Sequence, residues 1–125
     1  MNWIELNDLQ QLEQIKEQSK LQPVVIFKHS TRCSISSMAK IRLEQDPLPE
    51  GTLFYYLDLI AYRPISGQIA EDFNVYHQSP QILVIKNGEC TFNVSHYGIS
   101  VDKIVAETAT INPEPRTEKE TLPEN

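Results

Sequence analysis

The stretch VVIFKHSTRCSISSM, residues 24–38, decides how this chain is read. Val24 to Phe27 is an unbroken apolar run, the pattern of a central strand covered on both faces. A polar link from Lys28 to Arg32 follows. A helical pattern then starts near Ser34, with Ile35, Met38, Ala39 and Leu43 as its expected buried stripe. Cys33 therefore falls where a strand ends and a helix begins. Unpaired N–H groups and the positive end of a helix dipole favour an anion there, so a thiolate is stabilised. A free cysteine is often only a small buried hydrophobe. The flanking Lys28 and Arg32 turn the balance towards a reactive thiolate in electropositive surroundings.

Charge reinforces that contrast. The 125 residues carry a net charge of −6. Between Gln18 and Leu43 there is no acid, but there are Lys20, Lys28, Arg32, Lys40 and Arg42, so this segment stands at +5. The remainder holds six Lys/Arg against all seventeen acids and stands at −11. Lys40 and Arg42 read as a solvated helix face. An acidic chain is a poor partner for nucleic acid, whose phosphates need a basic surface. The longest aliphatic runs, VVIF and ILVI, have four residues and exclude a membrane span. MNWIELNDLQ lacks the apolar segment of a signal peptide, and two cysteines do not make a disulfide framework. A reducing cytoplasm is the expected location, and one domain with an ordinary core the expected organisation.

Outward from residues 24–38 the pattern alternates. Trp3–Leu6 reads as a short strand, and Asn7 or Asp8 as the cap of a helix that buries Leu9, Leu12 and Ile15. Pro47 and Pro49 end the helix after Cys33. Leu53–Asp58 is a strand, and Arg63-Pro64 opens a helix with Ile65, Ile69 and Phe73 on one face. Gln81–Lys86 and Glu89–Tyr97, joined by Asn87-Gly88, read as an antiparallel hairpin. Ser100 or Asp102 starts a last helix to about Ala109. Residues 112–125, with three Pro and few aliphatics, are expected to be a mobile tail after a domain of residues 1–111. The order β-α-β-α-β-α-β-β-α predicts an α/β fold, a mixed sheet with parallel strands early, a hairpin late and helices on both faces.

That order, with a cysteine after the second strand and Ser79-Pro80 before the hairpin, resembles the thioredoxin fold. The resemblance implies a cis Pro80 that faces Cys33 and presents backbone to an extended substrate. KHSTRCSISSMA, Arg63-Pro-Ile-Ser, His77-Gln-Ser-Pro-Gln-Ile, Asn87-Gly and Ser95-His96 are similar to the YtxJ family of monothiol bacilliredoxins over roughly residues 3–110. What the resemblance implies is removal of bacillithiol, a cysteinyl-glucosamine-malate thiol, from S-bacillithiolated cytosolic proteins. Bacillithiol is then the thiol co-substrate, with no tightly bound cofactor. Its carboxylates suit the basic ground around Cys33.

Thiol–disulfide exchange needs an accessible thiolate and a means of resolving the mixed disulfide. Cys33 is the candidate catalytic residue. Arg32, Ser36, Ser79, Pro80, Gln81 and His96 are the candidate substrate-binding residues around it. The usual resolving cysteine, three residues on, is Ser36, which can bond the thiolate or cap the helix. Gln81 can hold a bound thiol or simply bond backbone at a strand end. Cys90 lies one strand, ~20 Å at ~3.3 Å per residue, from the Pro80 end. A disulfide needs Cα atoms within about 7 Å, so Cys90 is not the resolver. Strand parity puts it on one face with Phe92 and Val94. His77 and His96 border the site, whereas His29 is structural or exposed. No common zinc spacing links these histidines to Cys33, so no metal is expected. Two other functions fit less of the pattern: a binding module in which Cys33 is only a site of modification, and iron–sulfur handling by a monothiol glutaredoxin-like protein.

Overall fold

The computed structural model describes residues 3–45, 48 and 50–109. The elements are β1 (Ile4–Glu5), α1 (Gln11–Gln18), β2 (Val24–His29), α2 (Ser34–Gln45), β3 (Leu53–Asp58), α3 (Arg63–Asp72), β4 (Gln81–Lys86), β5 (Glu89–Ser95) and α4 (Val101–Thr108), with a 3-10 turn at His96–Gly98. Five strands form one sheet in the order β1-β3-β2-β4-β5. β2 pairs parallel with β3 and antiparallel with β4, so the apolar run lies at the centre, as expected of a strand buried on both faces.

Alternation along the strands divides the core in two. Val24, Ile26, Leu83 and Ile85 meet Leu12 and Ile15 of α1, Ile65 and Ile69 of α3 and Phe73 at its C-terminal cap. Val25, Phe27, Ile82 and Val84 meet Ala39 and Leu43 of α2 and Ile104 of α4. Trp3 closes the second cluster, its ring 5.6 Å from that of Phe27 and its Nε1 donating to Glu44 at 2.8 Å.

Several expectations are corrected. β2 runs on through Lys28 and His29, both buried, because each finds a polar partner off the strand. Leu9 is 49% exposed, since α1 starts only at Gln11 and leaves Leu9 in the preceding turn. Asp8 does not cap the helix, but its carboxylate accepts the Gln10 N–H at 2.8 Å. Met38 is 56% exposed on the outer side of α2, and buried Ser36 takes the inward place. β5 ends at Ser95, and His96 begins the 3-10 turn at φ 54°. A register shift between Val84 and Ile85 leaves Thr91 without a partner in the ladder, so Cys90 opposes Ile85 while Phe92 opposes Val84. The bulge inverts parity: Cys90 packs on the α1/α3 side, away from Phe92 and Val94. Pro47, Pro49 and the expected tail 112–125 lie outside the described residues.

The hairpin turn is tied down from outside. Asn87 and Gly88 both have positive φ, 52° and 79°, as a two-residue turn of the hairpin type requires. Ser19, fully buried at the end of α1, accepts the Gly88 N–H on its hydroxyl and the Asn87 N–H on its carbonyl, both at 2.8 Å. Ser19→Ala strands the Gly88 donor and is expected to cost about 1–3 kcal/mol in urea unfolding. An unchanged midpoint would show that this tie contributes nothing.

Candidate active site

The carboxyl ends of β2 and β3 and the start of β4 share one edge of the sheet, with His29 opposite Asp58 and Lys28 opposite both Leu57 and Gln81. The loop 30–33 leaves β2 at this edge. The Cys33 N–H donates to the Ser30 carbonyl at 3.1 Å, and the Cys33 carbonyl accepts from Ser37 at 3.0 Å, the first helical bond of α2. Cys33 thus stands as the half-exposed cap of α2, where the unpaired N–H groups gather. The same edge carries the Ser79–Pro80 peptide bond, which is cis. The Pro80 carbonyl accepts the His96 N–H at 3.0 Å, so the turn after β5 braces the proline loop.

The candidate substrate residues divide into two groups. Arg32 is exposed beside Cys33. The Ser79 hydroxyl, next to Pro80, is buried and bonds to none of the described residues. His96 contributes its backbone, and its imidazole bonds to none of the described residues. Ser36 and Gln81 face inward instead. Ser36 is fully buried, and its hydroxyl accepts the Ser30 N–H at 3.0 Å and lies 2.6 Å from His29 Nδ1. It therefore does not bond the Cys33 sulfur; it locks the loop that carries it. Gln81 donates from Nε2 to the Tyr76 carbonyl at 3.0 Å, the plainer of its two expected roles, and its Oε1 stays unpartnered.

Two residues gain parts that the sequence pattern did not assign. His29 is buried, stacked at 5.5 Å on Phe27, and its pKa is lowered chiefly by burial and then by the Lys40 cation. A neutral ring can accept the Ser36 proton at Nδ1. Lys28 does not flank Cys33 as expected. Strand alternation turns it to the α3 side, where its Nζ lies 3.5 Å from the Ser66 carbonyl and 3.4 Å from His77 Nδ1. Burial lowers its ammonium to about 8. Ser36 follows His29 by seven positions, and that spacing carries no recognised signal.

The second sulfur is elsewhere. Cys90 is half-buried on the other side of the sheet, donates to the Phe92 carbonyl at 3.3 Å, and has its thiol pKa raised by burial. No cluster of three or more His, Cys, Asp or Glu among the described residues could hold a metal ion. No helix among them is long and apolar enough to cross a membrane.

The family model described as monothiol bacilliredoxin BrxC matches residues 4–104. The chain is similar to a candidate oxidoreductase with a thioredoxin fold at 34% identity and a TM-score of 0.70, covering 86% of this chain and 93% of that one. It shares its fold with Malassezia sympodialis thioredoxin at 21% identity and a TM-score of 0.65, over 86% and 89% of the two chains. The Schistosoma mansoni thioredoxin pre-protein gives 23% identity and a TM-score of 0.60, over 90% and 100%.

The buried ammonium has a measurable consequence. Lys28 holds its proton to about pH 8 in the folded protein and to about 10.5 when unfolded. The unfolded chain binds more protons between those values, so the Lys28 contribution to stability rises with pH across that window and is flat below it. Lys28→Met is therefore expected to exceed the parent in stability most clearly below pH 8, with the gap closing towards pH 10.5 in urea unfolding. A gap independent of pH would mean that Lys28 does not titrate there.

Proposed function

The chain belongs to the monothiol bacilliredoxin BrxC family, and from that premise we propose that it removes bacillithiol from S-bacillithiolated cytosolic proteins, with Cys33 as the one exchanging sulfur. Family and fold give it a thiol oxidoreductase-like role. The observation that carries the finer reading is the half-exposed Cys33 at the cap of α2, on the same edge as Pro80, with a buried hydroxyl where a resolving thiol would sit.

The Cys33 thiolate attacks the bacillithiol sulfur of the mixed disulfide. The client sulfur leaves with the bonding pair and takes a proton from water, while Cys33 retains bacillithiol in a new disulfide. A second low-molecular-weight thiolate attacks that bacillithiol sulfur, which regenerates Cys33 and releases a small disulfide. Electrons balance across the two exchanges. The loop held by Ser36 and His29 keeps Cys33 in place, and the backbone around Pro80 lines up the incoming disulfide.

The test is release of the client thiol from a bacillithiolated protein, followed by mass spectrometry. Cys33→Ser is expected to abolish release, and Cys90→Ser to leave it within about twofold. Activity that survives loss of Cys33 and disappears with Cys90 would overturn the assignment.

A further inference from the structure

A groove of about 180 Å³ opens at the N-terminus of α3, lined by Leu59, Arg63, Ser66, Gly67 and His77. It is several times the ~30 Å³ that a water takes in the liquid. Behind it lies Lys28, fully buried and reaching two of the lining residues, the Ser66 carbonyl and His77 Nδ1. The Ser66 hydroxyl is 3.0 Å from the same His77 nitrogen. Arg63 occupies the first turn of α3, where the helix dipole is already positive and disfavours a cation. Among the described residues neither Lys28 nor Arg63 has a carboxylate within ion-pair distance. The Lys28 and Arg63 cations, after burial, also hold the His77 pKa down.

A buried ammonium without a carboxylate partner is costly; the Cys90 thiol is the acidic group whose charge bears on Lys28, but burial disfavours its ionisation, and a guanidinium and a helix N-terminus add to the same positive field. An anion from outside cancels all three. Gln81, 1% exposed and directly opposite Lys28 in the sheet, also leaves Oε1 without a donor, but it does not line the groove. The cations around the groove thus ask for negative charge. The Arg63 fork suits the two oxygens of a carboxylate.

We propose that the groove between Arg63, Ser66 and His77, backed by Lys28 through its contacts with Ser66 and His77, is a carboxylate subsite that takes the malate end of the low-molecular-weight thiol. The inference rests on the proposed function, since bacillithiol joins a dicarboxylate and a hydroxyl-rich sugar to the reacting cysteine. The groove lies at the edge of the sheet from which the Cys33 loop and the Pro80 loop emerge, on the α3 side. Occupation there selects bacillithiol-bearing disulfides over disulfides without an acidic group.

The probe is glucosaminyl malate, which carries the acid end without the thiol, titrated into the ¹⁵N-labelled full chain beside glucosamine and inorganic phosphate. Saturable shifts at Ser66, Gly67 and His77 are expected with glucosaminyl malate alone, with affinity at least tenfold weaker in Arg63→Ala and Lys28→Met. In the same variants the ratio of Cys33 modification rates by bacillithiol disulfide and by hydroxyethyl disulfide is expected to fall about tenfold. Absence of saturable shifts, equal binding of phosphate, or binding indifferent to Arg63→Ala overturns the subsite. Arg63 is exposed, so its variant reports on the groove without disturbing the core. Failure of bacillithiol disulfide to modify Cys33 at all would count against the proposed function, and the titration would still decide the groove.

Discussion

The hydroxyl of Ser36 accepts the Ser30 N–H and lies 2.6 Å from His29 Nδ1, so one buried oxygen joins the end of β2, the loop after it and the first turn of α2. Cys33 lies between those anchors. Its backbone is fixed on one side by the Ser30 carbonyl and on the other by the start of the helix. In a dithiol exchanger the third residue after the reactive cysteine supplies a second sulfur. Here it supplies a strut, and in the proposed function a thiol from solution completes the exchange.

The strut works because β2 stays regular through its last two residues. Alternation sends His29 towards α2 and Lys28 towards α3, and each side of the sheet answers with its own polar set. On the α2 side the set is neutral and internally bonded, and it holds the reactive loop in place. On the α3 side it is cationic and short of an anion. A single strand end therefore carries two different polar sets at one edge of the fold.

Much of this was legible in the residues. Continuous apolar runs mark β2 and β4 as central strands, Asn87-Gly88 marks the hairpin, and Cys33 falls between strand and helix as its flanking pattern indicates. What escaped depended on partners distant in sequence. Lys28 and His29 looked like a polar link because Ser66, His77 and Ser36, which satisfy them, are assembled only by the fold. Met38 looked like core because periodicity over one helix does not say which of two adjacent faces is covered. Cys90 was assigned to the wrong face because one bulge at Thr91 inverts a parity rule that assumes an unbroken ladder. Of the site residues, Cys33, Ser79 and Pro80 share the expected edge, whereas Ser36 and Gln81 turn inward to structural bonds.

Intact-protein mass spectrometry after addition of bacillithiol disulfide puts the one-sulfur account to its most direct test. The account predicts one bacillithiol adduct, mapped by peptide analysis to Cys33, and its removal by free bacillithiol. An adduct on Cys90, or an internal Cys33–Cys90 disulfide in place of any adduct, would contradict it.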